Sequence, residues 1–159
     1  MIENVRAITI AIVLGAVTAC APGDVLLTEP PPGYVEDAPA RVAAADWSSA
    51  ETVTVALSEY RIAPQQLEFR QGAPYRLRIE NQGTLTHTFN SEGFFEAIAV
   101  QKLRSGENET ALPYVKNVVV APREVKELYF VAVVPGSYDL KCSVILHDVF
   151  GMTGTVEIR

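Results

Sequence analysis

The chain is poor in the side chains that hold transition metals. Its 159 residues include two histidines, two cysteines and two methionines. One methionine is Met1, and Cys20 closes an apolar leader. So few cysteines exclude a disulfide framework, leaving at most a Cys20–Cys142 bridge. Basic residues are also scarce, 13 against 19 acidic ones, for a formal charge of −6. That balance, with no basic stripe interleaved with aromatics, excludes nucleic acid as a partner. There is no internal repeat, and no small-molecule substrate site is legible. The uncharged run Ala7–Ala19 has thirteen residues, whereas a helix needs ~20 to cross a bilayer.

That run instead fits the apolar part of an export signal, although Glu3 offsets Arg6 ahead of it. Val17-Thr18-Ala19-Cys20 resembles the bacterial lipobox, in which cleavage before the cysteine is followed by its lipidation. Residues 1–19 are therefore expected to be a signal peptide, and Cys20 a lipid anchor on the periplasmic side of a bacterial membrane. An uncleaved anchor helix is the alternative, disfavoured by Pro22 and Gly23. Residues 20–49 are rich in proline. Pro30-Pro31-Pro32 favours extended geometry, so this stretch reads as a tether. Residues 50–159 are enough for one compact domain, onto which Tyr34 or Trp47 of the tether could dock.

Periodicity in that domain is mostly two. Glu51–Leu57, Leu67–Arg70 and Tyr75–Glu80 alternate polar and apolar side chains. Glu127–Val134 is more uniformly apolar. Ser137–Cys142 and Gly154–Arg159 complete the set, and Gly72-Ala73-Pro74, Gln82-Gly83 and Pro135-Gly136 punctuate it. The pattern predicts an all-β fold, an antiparallel sandwich. One stretch departs from it. Phe94, Phe95, Ile98 and Leu103 are spaced as on a short helix, so Glu92 to about Leu112 is expected to be a helical or irregular excursion, with Phe94 and Phe95 anchoring it to the core.

What remains of the scarce residues is clustered. Cys142, His147 and Met152 lie within eleven residues, and His87 is 55 residues upstream of Cys142. One thiolate, two imidazoles and one thioether form the ligand set of a mononuclear copper centre. The thiolate favours Cu(I), the imidazoles serve both oxidation states, and a weak thioether keeps the geometry near trigonal. The spacing requires a folded loop after the Cys142 strand, with Gly151 and Gly154 easing its exit. Structural zinc more often takes additional thiolates. A cysteine–histidine nucleophile would need an orienting third group. A lone cysteine in an exported protein is a liability unless it is buried, catalytic or metal-bound.

These residues carry a resemblance. Glu80-Asn81-Gln82-Gly83-Thr84-Leu85-Thr86-His87-Thr88-Phe89, and Tyr138 through Cys142 with His147 and Gly151-Met152-Thr153-Gly154-Thr155-Val156, are similar to the two ligand segments of the cupredoxins, the small blue copper proteins such as plastocyanin, azurin and pseudoazurin. The resemblance runs from about Thr52 to Arg159. It implies Greek-key topology and a single type 1 Cu(I)/Cu(II) ion, with His87, Cys142 and His147 equatorial and Met152 axial. It further implies that Thr88 offers its N–H to the thiolate and that Asn81 supports the ligand segment. Ile145, Leu146 and Phe150, with Val149, would form an apolar docking patch around His147. One departure stands out: many relatives have Pro-Gly before the loop histidine, where this chain has Ile145-Leu146.

The function implied is electron transfer rather than catalysis. Expected partners are a redox protein such as a c-type cytochrome or a membrane oxidoreductase. Alternatives are a protein that stores or delivers copper, and a copper-bearing accessory subunit of a membrane redox complex.

Overall fold

The computed structural model describes residues 30–159; the expected signal peptide and the expected lipidation site at Cys20 lie outside them. Strand formation follows the alternation. In β4 (Pro74–Asn81) every second side chain is buried, so Tyr75, Leu77, Ile79 and Asn81 face inward while Arg76, Arg78 and Glu80 face out. β1 (Glu51–Ser58) buries Val55 and Leu57 in the same manner. β9 (Val125–Ala132) is more apolar because both of its faces are covered.

The remaining strands are β2 (Arg61–Ala63), β3 (Gln66–Phe69), β5 (His87–Phe89), β6 (Ile98–Ser105), β7 (Asn108–Ala111), β8 (Val118–Val120), β10 (Gly136–Lys141) and β11 (Thr153–Ile158). One layer of the sandwich is a six-stranded sheet in the order β2-β1-β4-β9-β6-β7. Facing it are the three-stranded sheet β10-β11-β3 and the pair β5-β8, joined by a bridge between Asn90 and Lys141. Pairing is mostly antiparallel, but β1 runs parallel to β4, and β3 parallel to β11. The expected antiparallel sandwich is present, with parallel pairing only at those two places, where the chain crosses between layers instead of folding back as a hairpin.

Aromatic rings fill the space between the layers. Phe69, Phe94 and Phe130 meet at centroid separations of 5.2 to 5.6 Å. Phe94 and Phe95 are fully buried, on a short helix, α2 (Glu92–Glu96). Beyond that helix the expected excursion is in fact a hairpin. β6 pairs with β9, and β7 extends the sheet edge. Helical spacing misleads here because a register shift between Val100 and Lys102 breaks strict alternation.

The end of the expected tether folds against the sheet. A second helix at the start of the described chain, which we label α1 (Ala38–Ala44), and a 3-10 turn (Trp47–Ser49) lie over its outer face. There Val35 and Ala38 pack with Ala99 of β6, Val131 of β9 and Val133 just past β9, apolar residues outside the main core cluster. The Tyr34 hydroxyl donates to the Val115 carbonyl at 3.2 Å, and Trp47 Nε1 to that of Val42 at 3.0 Å. Among the described residues no helix is long and apolar enough to cross a membrane.

Gly154 sets how closely the last strand approaches its neighbour. A β-carbon there would lie 2.5 Å from the Gln65 carbonyl oxygen, a backbone atom with no freedom to swing aside. Gly154→Ala is expected to destabilise the fold by about 1–3 kcal/mol, read as a lower urea midpoint at unchanged m-value.

Candidate metal centre

His87 opens β5, which pairs with β8 through His87 and Val120. Cys142 directly follows β10, and His147 lies in the loop that returns to β11. The loop is held by its own backbone. The Cys142 N–H donates to the Met152 carbonyl at 3.1 Å, and the Met152 N–H donates to that of His147 at 3.0 Å. The His147 N–H in turn donates to the Val144 carbonyl at 3.0 Å. Met152 is thus tied by its backbone to both loop residues, and its side chain is fully buried.

His87, Cys142 and His147 are all buried, and their donor atoms lie within 4.8 Å of one another. Cys142 Sγ is 3.5 Å from His147 Nδ1 and 3.9 Å from His87 Nδ1. These separations suit one shared ion. Metal–sulfur and metal–imidazole bonds of ~2.3 and ~2.05 Å put the two atoms about 3.8 Å apart at a trigonal angle and about 3.6 Å apart at a tetrahedral one. The arrangement is consistent with a type 1 copper-binding site. Burial and the neighbouring His147 hold the His87 pKa below its ordinary value, so the imidazole is neutral and able to donate at pH 7.

Supporting contacts converge on the same corner. Cys142 Sγ accepts from the Thr88 N–H at 3.4 Å. Thr88 Oγ1 accepts from the Ser143 N–H at 2.6 Å, which ties β5 to the Cys142 segment. Buried Asn81 donates to the Leu85 and Val120 carbonyls at 2.8 and 2.9 Å, and its side-chain oxygen accepts from the Gly83 N–H at 2.9 Å. It therefore pins the turn that leads into His87 against β8.

Ile145, Leu146, Val149 and Phe150 are 85, 55, 75 and 59% exposed, whereas His147 in the same loop is 5% exposed. Four large apolar side chains of the one loop thus face solvent. Two contributors were invisible in the sequence. Tyr60, between β1 and β2, meets the His147 ring edge-on at 5.3 Å and Phe150 at 5.0 Å. Its neighbour Glu59 accepts from the Thr84 and Leu85 N–H groups at 2.6 and 2.9 Å and stands 3.9 Å from His87 Nε2. Nothing in Ser58-Glu59-Tyr60-Arg61 signals either role, because both depend on contacts more than twenty residues away.

No family model matches the chain, and no curated protein sequence does. Solved structures share its fold. A multicopper oxidase from Campylobacter jejuni aligns at TM-score 0.53 and 15% identity, over 68% of this chain and 30% of that one. A multi-copper oxidase from Pseudomonas thermotolerans gives 0.58 and 20%, over 72% and 31%. One from Pediococcus acidilactici gives 0.59 and 13%, over 73% and 27%. At such identities the likeness establishes a cupredoxin-like fold and nothing finer. The chain spans about a third of those proteins or less.

Leu146 adopts φ +69° in the ligand loop, a conformation that glycine takes without cost and a branched side chain resists. Its side chain is largely exposed, so Leu146→Gly is expected to hold or raise stability, by up to about 1 kcal/mol, while Leu146→Val lowers it; urea titration of both variants reads the difference. Glu59 has its pKa lowered to about 2, chiefly by the Thr84 N–H and further backbone N–H groups. Because the folded value lies below the unfolded one, its contribution to stability is complete above the unfolded pKa of about 4.5 and is lost as pH falls toward 2. Glu59→Gln is expected to flatten that part of the metal-free protein's pH–stability curve, measured as the difference from wild type.

Proposed function

We propose that this chain is an electron carrier built around one type 1 copper ion, which His87, Cys142, His147 and Met152 would hold. The observation that carries the reading is the buried convergence of the two imidazole Nδ1 atoms on Cys142 Sγ. Both histidines of the chain are in this one group, so a second, histidine-rich copper centre of the kind an oxidase requires would have no imidazole to draw on. That favours a carrier over an enzyme.

Copper bound there would supply a one-electron couple. The protein's task is to hold the donors so that neither oxidation state dictates their positions. Three features serve it: the backbone-bonded loop, the Thr88 contacts to the sulfur and to Ser143, and the Asn81 bonds behind His87. Burial keeps water from the donors. His147 is the one of the three that lies within the loop carrying the exposed Ile145, Leu146, Val149 and Phe150, and we assign that surface to docking of a redox partner, such as a c-type cytochrome or a membrane oxidoreductase. An exported location, a lipid anchor at Cys20 and a tether through the proline-rich segment belong to the same proposal. They rest on the leader sequence and the proline-rich composition after it.

Adding Cu(II) to the metal-free protein is expected to produce an intense visible thiolate charge-transfer band and the compressed copper hyperfine splitting of a type 1 centre. Cys142→Ser should abolish both. A wild-type protein that takes up stoichiometric copper yet stays colourless would overturn the reading.

A further inference from the structure

We infer that Glu59 is the positioning residue for His87: its carboxylate accepts the Nε2–H and so leaves Nδ1 bare toward Cys142. The inference deepens the metal reading and rests on it for its functional consequence. The His87 ring is fully buried. Nδ1 faces the sulfur at 3.9 Å, whereas Nε2 is a buried polar atom without a hydrogen-bond partner. A neutral imidazole carries one N–H, so a ring that donates through Nδ1 holds its proton on Nε2. A buried N–H requires an acceptor, and Glu59 Oε1 stands 3.9 Å away. A displacement of about 1 Å brings the pair to bonding distance.

The carboxylate is placed rather than free. Its Oε1 accepts from Thr84 N–H, Leu85 N–H and Thr84 Oγ1 at 2.6, 2.9 and 3.1 Å. Gly83 leaves room for it, since a β-carbon there would lie 2.7 Å from both carboxylate oxygens. The missing side chain at Gly83 is therefore the space that Glu59 occupies. Carboxylate–histidine pairs of this kind fix the tautomer of a ligating imidazole and increase its basicity. They stabilise the higher oxidation state of a bound ion.

Nitrogen-15 NMR of the metal-free protein at neutral pH tests the inference without copper, in wild type and two variants. Glu59→Gln removes the charge and keeps an acceptor oxygen. Gly83→Ala pushes the carboxylate aside and keeps its charge. In wild type, His87 is expected as the Nε2–H tautomer, with a downfield, solvent-protected proton. That proton should move upfield in both variants and lose its protection in Gly83→Ala. In copper-loaded samples the reduction potential should rise in both. A wild-type His87 protonated on Nδ1 would overturn the assignment, as would an Nε2–H resonance unchanged in both folded variants. The expected NMR result in a protein that refuses copper would keep Glu59 in this role and defeat the copper reading alone.

Discussion

Two imidazoles and a thiol crowd into a corner from which water is almost wholly excluded, with their donor atoms within 4.8 Å of one another. Buried polar groups are costly unless they find partners. Here the histidines turn Nδ1 toward the sulfur, and the sulfur draws on the Thr88 N–H. A site that must keep donors bare for an ion cannot satisfy them with ordinary hydrogen bonds. The rest of the fold therefore has to hold them in place from behind.

Different parts of the chain do this holding in different ways. β5 and β8 carry His87 on a short paired ladder, and Asn81 bonds across from β4 to the same corner. The Cys142–Met152 segment closes on itself by backbone bonds and accepts a left-handed residue at Leu146 to do so. The turn between β1 and β2 supplies Tyr60 against His147 and Glu59 toward His87. The left-handed backbone at Leu146 and Tyr60 and the unpartnered His87 Nε2 lie at this end of the sandwich, while the outer face of the six-stranded sheet is closed by α1 and its apolar contacts. Local rules broken at one place and satisfied elsewhere mark a functional corner.

Legibility varied with the physics of each segment. β1, β4, β10 and β11 were readable because one face of each is buried, which imposes period two on the sequence. β6 was not. Its first three residues are all buried and a register shift comes directly after them, so the apolar spacing mimics a helical stripe. The prolines near residue 30 indicate a spacer whose end could dock through Tyr34 or Trp47, and which residues do so followed only from the apolar sheet face that Val35, Ala38 and Trp47 cover. The scarcity of histidine, cysteine and methionine made the candidate donors conspicuous. Glu59 and Tyr60, ordinary surface types, were not.

The sequence by itself determined the alternation that makes the chain a sandwich and the order and spacing of the rare donor residues, because both are properties of short segments. Only the tertiary structure decided that His87 and Cys142 share one corner, that the loop turns through Leu146, and that a carboxylate stands behind the upstream imidazole. Each of these depends on contacts between segments distant along the chain, whose proximity comes from closing the sheets around a common core rather than from any local preference.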